Sequence, residues 1–325
     1  MKPMERKHLG NETSITEFIL LGFGNSPRLQ VFLFLLFLGT YIVTLTGNLL
    51  IMALVVADRH LHTPMYFFLG NLSCLETCYS STLLPRLLAS LLTGDRTISV
   101  TGCIVQLYFF GSLLTTECSL LSVMAYDRYL AILKPLRYAV LLNERLCLQL
   151  AAWSWISGFT SVAIILILMS QLTFCGAKEI DHFFCDFGPV IKRSCSDTHA
   201  LELTAFIHSS VFTLPPCLVT LASYVCIISA ILRISSTSGR QKAFSTCSSH
   251  LIVVSIFYGA LVIVYLLSGS EALKGLNKVL SIIYGALTPL VNPLIYSLKN
   301  KEVKEALRKA VLGFFIFDKN RAISR

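Results

Sequence analysis

Three acidic residues sit where the surrounding composition disfavours charge. Glu76 and Glu117 lie within stretches of Leu, Ser, Thr and Cys, and Asp127 precedes Arg128 where a long apolar stretch runs into basic sequence. In an apolar setting each charge is costly unless it finds a partner. Asp127 and Arg128 can satisfy one another, so Met124 to Tyr138 (MAYDRYLAILKPLRY) reads as a polar latch at a membrane face. Arg128 stays charged and donates several hydrogen bonds, so it can pair with Asp127 at rest and swing to a partner or to Tyr224 and Tyr296 when helices move. A purely structural ion pair is the plainer alternative. Glu117 lies 11 residues before Arg128, about 16 Å along a helix, and Glu76 lies 12 residues, about 18 Å, past Pro64. Two carboxylates at similar depth cannot both stay ionised without a cation, so they are expected to bind Na⁺ or share a proton, with Asn292 as a polar partner. His182, Cys185 and Asp186 have the chemistry of metal ligands, although a disulfide-bonded cysteine is no thiolate ligand. No H-E-x-x-H or G-x-S-x-G motif is present, and paired carboxylates in mid-membrane lack the watery cleft that hydrolysis needs. An enzyme is not expected.

The elements that must hold these groups are membrane helices. The 325 residues are 54% hydrophobic and 14% charged, against roughly 25% charged in soluble domains, and the mean hydropathy is +0.70. Apolar stretches long enough to span a bilayer fall at 31–57, 65–92, 104–126, 146–170, 201–232, 243–267 and 279–298. This predicts an all-α membrane protein, a seven-helix transmembrane bundle, with an amino-terminal segment (1–30), the bundle (31–298) and a tail (299–325). The alternating short segments of a β-barrel are not seen. The polar start, 1–28, has no continuous apolar core and does not read as a cleaved signal peptide. In the tail, Val303, Leu307, Ala310, Val311 and Phe314 recur at helical spacing among Lys and Arg, which predicts an amphipathic helix with its apolar face in lipid.

Charge sets the expected orientation. The loops and tail on the carboxy-terminal side hold 16 of the 27 Lys+Arg and 6 of the 18 Asp+Glu, so the positive-inside rule puts the carboxy terminus in the cytoplasm. The net charge of +9 then reflects topology and anionic lipid, and a nucleic-acid partner is not expected. Cys103, Cys175, Cys185 and Cys195 fall on the opposite, oxidising side with the sequon at Asn11. Four cysteines allow three pairings.

A binding site follows from helical phase. Stepping from Glu117 by three and four residues gives Leu114 and Phe110, flanked by Gly111 and Thr115. The facing stripe of the sixth helix gives Phe257, Tyr258, Leu261 and Tyr265, and the fifth offers Ala205, His208, Ser209 and Phe212 before Pro215-Pro216. These make an apolar pocket with a few polar groups. No carboxylate lies on this part of the third-helix stripe, which argues for a small, hydrophobic, neutral ligand and against an amine. His250 reads either as a satisfied polar group facing the third helix or as a pH-sensing switch.

Asp127-Arg128-Tyr129 and Asn292-Pro293-Leu294-Ile295-Tyr296, set in seven helices, resemble rhodopsin-like G-protein-coupled receptors. Pro64-Met65-Tyr66-Phe67-Phe68-Leu69, Met124 to Tyr138, Ser223-Tyr224, Lys242-Ala243-Phe244-Ser245-Thr246-Cys247, His182-Phe183-Phe184-Cys185-Asp186 and Pro289 to Asn300 narrow the resemblance to olfactory receptors of the tetrapod (class II) type. It covers about Phe18 to Lys304. Leu133, Gly70, Glu76 and Leu266-Leu267-Ser268-Gly269 depart from the usual pattern. The resemblance implies a short amphipathic eighth helix and disulfides Cys103–Cys185 and Cys175–Cys195. It implies a switch built on Asp127, Arg128, Tyr129, Tyr224, His250, Asn292, Pro293 and Tyr296. It further implies a small hydrophobic odorant as ligand, a stimulatory, olfactory-type G-protein α subunit as partner, and a multi-pass place in the plasma membrane. The alternatives are a rhodopsin-like receptor for another small non-amine ligand, or an ion or proton transporter using Glu76 and Glu117, which the missing inverted repeat weakens.

Overall fold

The computed structural model describes residues 15–24, 26–233, 236–266, 271–299 and 302–309, without the side chains of 239, 242–249, 266, 271–275 and 296–299. Asn11, the side chain of Tyr296, the side chains of Lys242 to Cys247, and Ala310, Val311 and Phe314 lie outside the described residues. Seven long helices run through the described residues: α1 Pro27–Ala57, α2 Pro64–Thr93, α3 Val100–Leu133, α4 Glu144–Ser170, α5 His199–Leu232, α6 Thr237–Leu261 and α7 Glu271–Ile282. A π-helical turn, Val262–Leu266, continues α6; another, Ile283–Leu287, continues α7 into Thr288–Lys299. Five helical stretches are long and apolar enough to cross a membrane, and His250–Tyr265 of α6 adds a shorter apolar one.

Local chemistry sets the helix ends. Pro27 and Pro64 open α1 and α2, where a missing N–H costs nothing. The Ser99 hydroxyl accepts the Gly102 N–H at 3.0 Å to cap α3, and Asn143 accepts the Leu146 N–H at 2.9 Å to cap α4. Gly94, at φ 75°, ends α2 in the left-handed region that glycine tolerates best. The third span was expected to stop at 126, with Asp127 and Arg128 at its end. The helix instead runs to Leu133, because Ala131, Ile132 and Leu133 continue it and the first breaker is Pro135, which restricts Lys134. The latch therefore sits inside a helix.

α3 is the axis of the bundle: 72% of its most apolar window is buried, against 11% for α1, whose Val31, Phe32, Leu35 and Leu49 face outward. Gly158 lets α4 lie directly on it, since a Cβ there would come within 2.7 Å of the Ser112 carbonyl oxygen. Residues 302–309 are helical. Val303 and Ala306 are buried against Ile51, Leu54, Leu61, Tyr66 and Leu69 of α1, α2 and the turn between them, and the Tyr66 hydroxyl donates to Glu302 Oε2 at 2.7 Å.

One element was not expected. A three-stranded sheet of order β2-β1-β3 lies across the end of the bundle that carries the disulfides. β1 (Glu17–Leu20) pairs antiparallel with β2 (Thr97–Ser99), Phe18 facing Ile98, and parallel with β3 (Glu179–Ile180), Ile19 facing Glu179. The amino-terminal segment is thus tied to the start of α3 and to the long loop 171–198, and Phe18 is fully buried beneath it.

Candidate ligand-binding site

Near the disulfide end, α3, α4, α5 and α6 enclose a cavity with ≈ 680 Å³ of non-atom space, its open mouth included. Phe110, Gly111, Leu114 and Thr115 of α3 line it with Ala205, His208, Ser209 and Phe212 of α5, and Leu261 and Tyr265 close it from α6. His208 Nε2 lies 3.0 Å from the Ser161 hydroxyl of α4, which fixes the imidazole in the wall. The Phe110 ring stacks on Tyr79 at 4.8 Å and against Phe184 at 4.7 Å, so its position is set by α2 and by the loop.

Tyr258 does not line this cavity. Its hydroxyl donates to the Cys118 carbonyl at 2.7 Å, and its ring borders a separate cavity with Cys217, Thr220 and Tyr224. Sequence reasoning missed Leu107, Cys118, Val162, Ile165, Asp186, Phe187 and Thr213. Leu107 and Cys118 continue the α3 stripe one step each way, so its spacing could have found them. Asp186 matters more. No carboxylate lies on the α3 stripe above Glu117, but the loop adds one to the site, which removes the argument against an amine. Cys185 is bonded to Cys103, which brings Asp186 over the mouth. Asp186 Oδ1 accepts the Phe187 N–H at 2.8 Å and the Tyr265 hydroxyl at 3.1 Å. Tyr265 also lies 3.1 Å from the Tyr284 hydroxyl, itself 3.0 Å from Ser281. Burial pushes the Asp186 carboxyl up to about 6.

The second disulfide joins Cys175 to Cys195 across the base of the loop. With Cys185 in a disulfide, the metal reading of His182, Cys185 and Asp186 fails, and among the described residues no group of three or more His, Cys, Asp and Glu could hold a metal ion. His182 is instead packed between Phe183 and Phe184, and burial, then Lys278, push its imidazole down to about 4. Lys278 of α7 pairs with Asp181 at 2.5 Å and donates to the Gly22 carbonyl, which pins the loop and the amino-terminal segment to the bundle.

Deeper in the bundle, Glu76 of α2 and Glu117 of α3 are both fully buried. Asn292 Nδ2 donates to Glu76 Oε1, whereas Glu76 Oε2 and both Glu117 oxygens take no hydrogen bond among the described residues. Asn48 holds the neighbouring backbone by donating to Thr44 and Pro289. Pro293 packs on Gly47 of α1, where a Cβ would come within 2.9 Å of it.

At the far end, Arg128 Nε donates to Asp127 Oδ2 at 2.8 Å and the Tyr138 hydroxyl donates to Asp127 Oδ1 at 2.6 Å. Tyr138 lies in a short helical turn, Tyr138–Leu141, and burial and Asp127 hold its phenol protonated. Tyr129 stacks on Tyr126 and lies under the Lys134 ammonium. His250 Nδ1 is bonded to the Tyr224 hydroxyl of α5.

The olfactory receptor family model matches residues 37–313. The chain belongs to the olfactory receptor family. It is 48% identical over 306 residues to olfactory receptor 5AP2 of Mus musculus, covering 94% of this chain and 96% of that one. It is 50% identical over 304 residues to olfactory receptor 6F1 of Homo sapiens, covering 94% and 99%. Membership makes this seven-helix chain a multi-pass membrane receptor for odorants that couples to G proteins, and not an enzyme.

Proposed function

We propose that this olfactory receptor binds a small hydrophobic odorant in the cavity between α3, α4, α5 and α6 and passes the signal to a stimulatory, olfactory-type G-protein α subunit, raising cAMP. The observation that carries this reading is the mostly apolar cavity built from the α3 stripe Phe110, Leu114 and the facing walls of α5 and α6. The disulfide end then faces outward with the amino terminus, where oxidising conditions preserve the two bridges. The Asp127 end faces the cytoplasm, as the excess of Lys and Arg on its side requires. There Arg128 would exchange Asp127 for the α subunit. Lys304, Arg308 and Lys309, exposed beside the buried Val303 and Ala306, would meet anionic headgroups.

Glu76 and Glu117 form the resting-state lock in this reading. The oxygens without hydrogen bonds suit a Na⁺ ion, and a proton shared between the two carboxyls would satisfy the same oxygens. Glu76→Gln and Glu117→Gln receptors should show altered basal and sodium-dependent signalling; variants indistinguishable from wild type would remove the lock.

The test of the whole reading is cAMP in cells co-expressing an olfactory-type G protein, screened across odorant classes. Exchanging Phe110, His208 and Tyr265 one at a time should shift the potency of an active odorant. Potencies unmoved by all three, at normal surface expression, would place the ligand elsewhere.

A further inference from the structure

The odorant-pocket reading leaves one group unused. Asp186 lines the cavity beside Phe187, among Leu107, Phe110 and Leu261, and it is 8% exposed. Both of its described bonds fall on Oδ1. Oδ2 takes none, and Asp186 belongs to no described ion pair. The lysine of the loop cap, Lys278, is engaged by Asp181 and the Gly22 carbonyl. A carboxylate in a confined apolar site with no bound cation is an unfavourable arrangement that a cationic ligand relieves.

The neighbouring groups narrow the ligand further. Tyr265 already donates its proton to Asp186, so this corner of the pocket accepts hydrogen bonds more than it donates them. The second polar position, His208 with Ser161, lies on the α4–α5 wall. The surfaces between are the rings and branched chains of Phe110, Leu114, Phe212 and Leu261.

We infer that this receptor selects small hydrophobic ligands bearing a hydrogen-bond donor, and best of all protonated primary amines, whose ammonium bonds Asp186 Oδ2 while the hydrocarbon body fills the apolar cavity. This rests on the cavity being the odorant site. With its carboxyl at about 6, Asp186 is mostly ionised at neutral pH, and an alkyl ammonium is fully charged there. A charge-assisted bond in an enclosed site favours the amine over a ligand that only accepts by about ten- to a hundredfold.

The test uses the purified full-length receptor in lipid nanodiscs with matched amines, alcohols and methyl ethers of one carbon skeleton, about six to eight carbons. Binding is read by thermal shift and signalling by cAMP in cells. The expected order in the wild type is amine, then alcohol, then ether. Asp186→Asn should bring the amine to within about twofold of the alcohol and leave the ether unchanged, while Asp186→Glu should keep much of the amine's advantage. Equal binding of the three ligands to the wild type would overturn the inference without any variant. An amine preference that persists in Asp186→Asn would overturn it as well. An amine that neither binds nor signals, while other odorants raise cAMP, defeats this inference alone. A surface-expressed receptor silent to every odorant class defeats the reading beneath it.

Discussion

At the disulfide end of the bundle, α3 is bonded to the long loop through Cys103 and Cys185, the loop is closed again through Cys175 and Cys195, three strands tie it to the amino-terminal segment and the start of α3, and Lys278 clamps the loop to α7. At the Asp127 end nothing covalent joins neighbouring elements among the described residues. Arg128 and Tyr138 hold Asp127, Tyr224 holds His250, and Tyr66 holds Glu302. A disulfide has one partner, whereas a hydrogen bond of about 1 kcal/mol net exchanges partners readily. A receptor built this way has a fixed end and a rearranging end.

The largest test of this contrast removes the cap. The Cys103–Cys185 bridge spans 82 residues and Cys175–Cys195 spans 20. On loop-closure entropy these contribute about 4–5 and about 3 kcal/mol. Cys185→Ser should therefore deplete folded receptor at the cell surface more than Cys195→Ser, measured by antibody labelling of intact cells. The reverse order would mean that the loop, and not its tie to α3, is what the fold depends on.

Next comes the cap's buried charge. Asp186 is raised from its ordinary 3.8 to about 6, so the folded protein holds this proton more tightly than the unfolded chain does. The associated stability is complete below pH 3.8 and is lost as pH rises through about 6, which leaves a deficit of about 3 kcal/mol at neutral pH. Asp186→Asn should raise the melting temperature of the ligand-free receptor at pH 7.4, and the gain should shrink as pH falls through 6. His182, four residues earlier, has the opposite sign. Its imidazole, flanked by Lys278 and Asp181, is lowered from 6.5 to about 4, so its contribution is present above pH 6.5 and is lost toward pH 4. A gain from Asp186→Asn that does not change with pH would show that the carboxyl is not the source.

At the rearranging end the expected effects are smaller. Tyr138→Phe deletes a bond to an ionised carboxylate, about 1.5–3 kcal/mol where fully buried and less at this half-buried site. It should raise basal cAMP several-fold at unchanged surface density, since Asp127 then holds Arg128 alone. Unchanged basal signalling would mean that this end is locked elsewhere. The smallest effect is expected from Tyr258→Phe. Its hydroxyl meets a backbone carbonyl and not the ligand cavity, so odorant potency should move less than threefold, about 0.6 kcal/mol.

The helices were legible because a run of about 20 apolar residues has few other uses, and the α3 stripe because helical spacing fixes which residues share a face. Phe110, Leu114, His208 and Tyr265 were found in that way. Spacing gives a face but not a depth, which is why Tyr258, on the right stripe, ended at a carbonyl outside the cavity. Asp186 was hidden for a different reason. It lies on a loop, where no helical spacing fixes which residues face the bundle. β1 was hidden because its partners, β2 and β3, are distant in sequence and only a few residues long. The seat of Val303 and Ala306 was hidden because the receiving surface, Ile51, Leu61 and Tyr66, exists only once α1 and α2 have assembled.

Tyr265 and Tyr284, the two phenols that join the pocket to α7, each lie within one of the π-helical turns. Such a turn carries one residue more than an α-helical turn. That surplus is slack wound into the rod. If the turn tightens, everything beyond it twists by about 100° and advances about 1.5 Å, with no helix broken and no loop lengthened. α6 and α7 each hold one such unit of slack, and the pair of phenols ties the two together. A ligand that tugs Tyr265 is therefore pulling on a wound thread, and the far ends of two helices can turn in step as it pays out.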